Sequence, residues 1–302
     1  MLLFTLIYDD DKQIIVEEIN NIREKFKSKD MVVGVSESIE NKTHFIKFYS
    51  EKDDLEKHFF EEFNKSIAML LYKCLLDDFF DKYIDRFITD SYFFLKNQEK
   101  TKIRDKSLIV LRDDERALEG CSIYCFNKKN DVLYKIRNII AGDTKEINID
   151  GFITFRMKEL SRDLESIIDK VVEKYMVEKE YNEFIKLLKY FVDMEESKID
   201  EINIMIDKEG KYTLKDKEGN DLTYSIYLDT EDVKYIESIS IDDMLLSWLI
   251  TNVPEKIRIH NIDNCNNKEL IGTIKNVFEN KVEICENIEI ESVNKDLNKS
   301  KL

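Results

Sequence analysis

The chain has 302 residues, of which 43% are hydrophobic and 36% are charged, a composition typical of a folded soluble protein and not of a disordered one. Its formal net charge of −16 argues against nucleic-acid binding, which needs clustered positive charge. No stretch approaches the roughly 18 uncharged apolar residues of a transmembrane helix, so we expect no membrane insertion. The five cysteines, an odd number, are typical of reduced thiols and predict a cytoplasmic location.

The first predicted module is a small βαββ unit over residues 1–52. Leu2–Tyr8 is predicted to be a strand, and a helix with one apolar face follows it. Two more strands are predicted at Met31–Val35 and Phe45–Tyr49. Asn41-Lys42-Thr43 lies between these two strands and predicts a hairpin turn.

The second predicted region, residues 53–197, is helical. Its first apolar stripe would give an unbroken helix about 50 Å long. Because that length does not suit a compact domain, we expect a break near Asp77-Asp78 or before Thr89. The helices predicted next span 97–112 and 127–141, and residues 113–126 between them carry no pattern that we can interpret.

The end of the helical region contains two amphipathic segments. Apolar residues at helical spacing run through Met157–Tyr175, and the spacing changes phase at Glu178–Glu180. The second segment is apolar over most of its circumference, which is typical of a helix in the middle of a fold. We therefore expect one face of it to be the hub of the core. The residues of that face are Tyr181, Phe184, Leu188 and Phe191.

The third predicted region, residues 198–288, mixes strands and helices. A strand at Ile202–Ile206, a turn at Lys208-Glu209-Gly210 and a return strand from Tyr212 predict a hairpin. The alternation over Leu222–Leu228 predicts a further strand. A helix is expected next, before the final segment of the region.

The final β-α-β segment is predicted to be a right-handed parallel crossover. Its strands are Lys256–His260 and Lys281–Cys285, and its helix spans Leu270–Phe278. The strand residues that we expect to be buried are Ile257, Ile259, Val282 and Ile284. The polar tail, residues 289–302, is expected to fray. The three regions together predict an α+β fold.

The stretch from Ile147 to Ile206 carries a family resemblance. It combines Asp150-Gly-Phe-Ile-Thr-Phe-Arg-Met-Lys with Glu180-Tyr-Asn-Glu-Phe-Ile-Lys-Leu-Leu-Lys-Tyr-Phe-Val and the strand that follows. This combination resembles the YtxC-like family, and a looser likeness extends to Pro254-Glu-Lys-Ile-Arg-Ile-His. The resemblance implies an association with endospore formation in Gram-positive bacteria. It implies no reaction and no catalytic residues.

The residues predict no cofactor and no metal site. No two glycines lie close enough to form a phosphate-binding loop. Cys121 and Cys125 lack the further ligands of a structural zinc site. His58, Glu61 and Glu62 lack the repeated Glu-x-x-His pattern of a di-iron site.

The best candidate for a ligand site is the carboxyl end of the predicted strand Lys256–His260, because ligands collect at strand carboxyl ends in α/β sheets. The candidate residues there are His260, Asn261, Asp263 and Cys265. A hydrogen-bonded surface histidine is the commoner explanation for such a residue.

We expect the protein to act by contact, without catalysis, with a protein partner or with another copy of this chain. The helical region carries more aromatic side chains than one small core needs, and surplus apolar surface marks interfaces. Tyr92 and Tyr190 are the candidate interface residues, because a tyrosine hydroxyl can stay hydrated at the solvent-exposed edge of an interface. The alternative is an unrecognised enzyme or small-ligand binder that uses the C-terminal module near His260.

Overall fold

The chain forms two compact units, Met1–Val177 and Glu178–Leu302. The computed structural model describes residues 1–10, 12–29, 31–50, 57–112, 122–141, 145–228 and 240–285. Most of the uninterpreted stretch 113–126 and the tail 289–302 lie outside the described residues. The mixture of helices with two separate sheets confirms the predicted α+β class.

Unit 1 contains a four-stranded sheet. Its strands are β1 (Leu2–Asp9), β2 (Val33–Glu40), β3 (Thr43–Ser50) and β4 (Glu146–Asn148). The order is β2-β3-β1-β4, with β3 antiparallel to both β2 and β1. The predicted hairpin is confirmed, and its turn residue Asn41 has a φ of 58°, a left-handed conformation that Asn tolerates better than most residues.

The edge strand β4 was not predicted from the sequence. It pairs in parallel with β1 through Thr5, Leu6 and Ile7. Three residues are too few to show a period-two alternation, so the pattern around Ile147 carried no strand signal. This strand brings the start of the family-like stretch beside the first strand of the protein.

Six α-helices begin in the described part of unit 1. They are α1 (Gln13–Lys27), α2 (Lys57–Lys82), α3 (Ile84–Ser91), α4 (Asn97–Arg112), α5 (Ser122–Ile140) and α6 (Ile149–Met194). The predicted break is present: α2 ends at Lys82 and α3 begins at Ile84, so the break at Tyr83 falls between Asp78 and Thr89. Asp77 and Asp78 remain helical, and their carboxylates form ion pairs with Arg112 and Lys82.

The core of unit 1 is rich in aromatic side chains. Phe26 of α1, Phe48 of β3 and Phe63 of α2 are fully buried and meet at ring-centroid distances of 5.6 to 6.1 Å. Edge-to-face contacts at such distances are favourable for aromatic pairs. These contacts hold α1 and α2 against the sheet.

Unit 2 contains a second four-stranded sheet. Its strands are β5 (Glu201–Ile206), β6 (Tyr212–Asp216), β7 (Lys256–His260) and β8 (Val282–Cys285). The order is β6-β5-β7-β8, with β5 antiparallel to β6 and parallel to β7, and β7 parallel to β8. This pairing confirms both the predicted hairpin and the predicted parallel crossover.

Three helices complete the described part of unit 2. They are α7 (Ser225–Leu228), α8 (Ile241–Asn252) and α9 (Lys268–Phe278). The strand predicted over Leu222–Leu228 is wrong. The Asp221 carboxylate accepts a hydrogen bond from the Thr223 backbone at 2.7 Å, and such an Asx turn replaces strand pairing.

The burial predicted for the crossover is only half correct. Ile257 and Ile259 are fully buried in the core shared with α8 and α9. Val282 is partly buried and Ile284 is exposed. The reason is that β8 lies at the sheet edge, where it has one neighbouring strand instead of two.

The prediction of the core hub is wrong for three of its four residues. Tyr181, Phe184 and Phe191 are exposed, Leu188 is partly buried against the core of unit 2, and Ile185 and Val192 are buried in that core. This part of α6 carries two adjacent apolar faces, and only the face with Ile185 and Val192 packs against the core. Periodicity alone does not distinguish two apolar faces of one helix.

Candidate functional site

A polar network lies beside the carboxyl ends of the parallel strands β5 and β7. The Tyr212 hydroxyl donates a 2.6 Å hydrogen bond to Oδ1 of Asp242. The Asn267 side-chain amide donates a 2.8 Å hydrogen bond to Oδ2 of the same carboxylate. Both carboxylate oxygens of Asp242 therefore have a donor within unit 2.

Helix caps position this network. Asn267 precedes α9, and its Oδ1 accepts hydrogen bonds from the backbone of Glu269 and Leu270 at 3.1 and 3.2 Å. Ser240 caps α8 in the same way through Asp243 at 3.1 Å. Side-chain oxygens at these positions satisfy backbone donors that a helix leaves free at its start. The caps fix the first turn of α8, which carries Asp242, and the first turn of α9, which follows Asn267.

The candidate residue Cys265 belongs to this network. Its Sγ lies 3.2 Å from the backbone oxygen of Asn267 and 3.7 Å from the Tyr212 hydroxyl. Burial, followed by the hydrogen bond to Asp242, raises the pKa of Tyr212, so the phenol stays protonated and donates. The groups satisfy one another, and the network holds β6 to α8 and α9.

The candidate residue His260 lies on the opposite face of the sheet from the buried Ile259, as strand alternation requires. Its side chain is only 8% exposed. Its Nε2 lies 3.0 Å from Oδ1 of Asn203, so Nε2 carries the proton and donates. The Nδ1 atom is buried and has no hydrogen-bond partner among the described residues.

The surroundings of His260 keep it neutral. Burial, followed by the charge of Arg258, lowers the pKa of His260 below its ordinary value of 6.5. Arg258 itself forms ion pairs with Glu201 at 2.9 Å and Glu283 at 3.1 Å. A neutral imidazole with a free Nδ1 lone pair is able to accept a hydrogen bond or to take up a proton.

The structure therefore separates the predicted site residues. His260 and Cys265 lie on different faces of the sheet, and Asp263 is exposed. Asn261 occupies a left-handed turn with a φ of 56°. Sequence reasoning missed Tyr212, Asp242 and Asn267. The position of Asn267 before a helix was a usable capping signal, but nothing in the sequence connected it to Asp242.

A second feature is an exposed apolar surface on the C-terminal part of α6, which we call the α6 apolar face. Its residues, all exposed, are Phe184, Leu187, Tyr190, Phe191 and Met194. The candidate interface residue Tyr190 is 60% exposed, and its ring lies 6.3 Å from that of Phe191. The face lies beside the buried residues Ile185 and Val192.

The other candidate interface residue, Tyr92, is partly buried in unit 1. Its hydroxyl donates a 2.5 Å hydrogen bond to Oδ1 of Asp169. Burial, followed by this bond, raises the pKa of Tyr92. The neighbouring Phe93 and Phe94 are more exposed than Tyr92.

Among the described residues, no three His, Cys, Asp or Glu side chains are grouped closely enough to hold a metal ion. No described helix has both the length and the apolar character to cross a bilayer. Cys74, Cys265 and Cys285 are free thiols, while Cys121 lies outside the described residues.

Comparison with known proteins gives two matches. The model of the YtxC-like family matches residues 65–283. The protein named "Uncharacterized protein YtxC" from Bacillus subtilis (strain 168) is 26% identical over 224 residues, which cover 71% of this chain and 74% of that protein. No solved structure matches the chain.

Proposed function

Because the chain belongs to the YtxC-like family, we propose that it is a sporulation-associated cytoplasmic protein that acts by contact with a protein partner. The association with sporulation rests on the family resemblance. The contact mode rests on the α6 apolar face. A stripe of five exposed apolar side chains on one helix is typical of a surface that another molecule covers.

The composition of the face supports a protein partner. Phe184, Tyr190 and Phe191 are aromatic, and aromatic side chains and Met are enriched at the centres of protein interfaces. Tyr190 is the best single anchor, because its ring offers apolar area while its hydroxyl stays hydrated at a rim.

The carboxylates at the two ends of the face favour a basic partner over a second copy of this chain. Glu180 precedes the face, and Asp193, Glu195 and Glu196 lie at its end; all four are exposed and none has an ion-pair partner among the described residues. Two copies joined through this face would bring carboxylates near carboxylates. A partner helix with an apolar stripe and flanking Lys or Arg complements both properties.

A pull-down from an extract of sporulating cells tests this proposal. The Tyr190→Asp variant places a charge in the face, and Asn182→Asp places the same charge on the exposed polar side of α6. We expect Tyr190→Asp to lose the partner and Asn182→Asp to retain it, with equal circular-dichroism melts. The recovered partner should carry a basic amphipathic segment, and a synthetic peptide of that segment should bind more weakly as salt rises.

Two results would contradict the proposal. One is full partner recovery by a folded Tyr190→Asp variant. The other is an α6-dependent dimer of the purified protein, which would make a second copy the occupant of the face.

One observation favours the alternative function, a small-ligand binder or enzyme that uses the C-terminal module. It is the buried, unpartnered Nδ1 atom of His260, since buried polar atoms normally have partners. The His260→Ala variant separates the two functions. Loss of sporulation in that variant, with partner recovery retained, would support the alternative.

A further inference from the structure

A groove in unit 1, independent of the α6 apolar face, has the features of a small-molecule site. It lies between α2 and α5 and has a volume of about 420 Å³. Small-molecule sites typically measure roughly 300 to 1,000 Å³ and combine apolar walls with a few polar groups. Four residues of α5 and three residues of α2 line the groove, and none of these seven residues is acidic.

The floor of the groove is apolar. Ala68 and Met69 of α2 and Leu133 of α5 form it, and Tyr134 stands at its rim with a largely exposed ring. Burying this floor and ring under an apolar ligand would be favourable, at roughly 25 cal/mol per Å² of apolar area removed from water.

The rim of the groove is positively charged. Arg137 lines it and has no ion-pair partner among the described residues, whereas Arg86, Arg112 and Arg156 each pair with a carboxylate. A guanidinium beside an apolar floor is suited to bind a carboxylate or phosphate with two parallel hydrogen bonds.

A second cation, Lys65, lies on the α2 side of the rim. It shares the Glu62 carboxylate with Lys25 and Lys29, at distances of 2.8, 3.4 and 3.3 Å. The hydrogen bond from Lys65, assisted by Lys29 and Lys25 and opposed by burial, lowers the pKa of Glu62 to about 2. Within this cluster of four side chains, one ionised carboxylate offsets only one of three ammonium groups, which leaves the cluster with an excess of positive charge.

We propose that this groove binds a small amphipathic anion, with its charged group on Arg137 and its apolar body on Ala68, Met69 and Leu133. Lys65 adds long-range attraction for the anion, and the Tyr134 ring covers the apolar body. The volume of the groove and the positive charge of its rim together favour one class of ligand. Its members have an apolar chain or ring system that ends in a carboxylate or a phosphate.

Calorimetric titration of the full-length protein with four probes tests the proposal. Decanoate and decyl phosphate, each kept below its critical micelle concentration, carry both an anionic headgroup and an apolar chain. Decanol has the apolar chain without the charge, and acetate has the charge without the apolar chain. We expect saturable binding of one or both long-chain anions, and no measurable binding of acetate. Comparison of the two anions identifies the preferred headgroup. Decanol should bind at least about tenfold more weakly, since a charged hydrogen bond is lost.

Variants locate the site. Arg137→Gln should weaken binding of the preferred anion about tenfold, and Tyr134→Ala should weaken it severalfold. Arg162→Gln is the matched control, because Arg162 is exposed, lies outside the groove and also has no ion-pair partner among the described residues. Equal affinities of the wild type and a folded Arg137→Gln variant would overturn the proposal. So would decanol binding as tight as that of the anions, or no binding of either anion.

Discussion

The hydroxyl of Tyr212 donates a 2.6 Å hydrogen bond to the carboxylate of Asp242, a residue 30 positions further along the chain. This bond joins the first residue of β6 to the first turn of α8. Tyr212 is buried, and the same carboxylate accepts a second bond from Asn267, which caps α9. Three elements of unit 2 are thus fixed at one point.

Tyr212→Phe should lower the free energy of unfolding by about 1 to 3 kcal/mol, because the partly buried Asp242 loses one of its two donors while the ring is kept. Urea denaturation measures this change. Tyr224→Phe is the matched control: Tyr224 is exposed, so the same chemical change should shift the free energy by less than about 0.5 kcal/mol. Equal effects of the two substitutions would show that the bond to Asp242 contributes nothing.

Neighbouring residues of α6 should respond very differently to truncation. Ile185 is 9% exposed and packs in the core of unit 2, whereas Phe184 is 48% exposed. Ile185→Ala should cost about 2 to 5 kcal/mol by leaving a cavity. Phe184→Ala should cost less than about 1 kcal/mol, since little buried surface is lost. Denaturant titration of both variants measures the difference. A larger loss of unfolding free energy in Phe184→Ala than in Ile185→Ala would show that Phe184 is the core residue.

The stability of the protein should fall as the pH falls below 6.5, in part because of His260. Burial and Arg258 lower the pKa of His260 in the folded state below 6.5, its value when exposed. Between these two pKa values the unfolded chain binds more protons, so stability rises with pH. The contribution of His260 is fully present above pH 6.5 and is lost as the pH falls through the folded-state pKa.

Urea midpoints of the wild type and of His260→Gln across this pH range test that expectation. The variant should show a flatter pH dependence, because glutamine does not titrate. His58→Gln is the control: His58 is exposed, and the pH dependence should remain that of the wild type. Parallel curves for the wild type and His260→Gln would show that burial of His260 does not affect its titration.

The sequence by itself determined the local elements of this protein. Period-two alternation and the turn at Asn41 predicted the hairpin of β2 and β3, and the pattern from Lys256 to Cys285 predicted two parallel strands around one helix. These features depend on residues close together in the chain, where periodicity and turn chemistry act directly. The position of His260 at a strand end was predictable for the same reason.

Only the tertiary structure decided which surfaces meet. Periodicity fixes the angle of each side chain around its own helix, but it does not say which of two apolar faces of α6 finds a neighbour. Ile185 and Val192 lie on the face that packs against the core of unit 2, and Phe184 and Tyr190 do not. The meeting of Tyr212 with Asp242 likewise depends on contacts between distant segments, because such contacts leave no pattern in a single sequence.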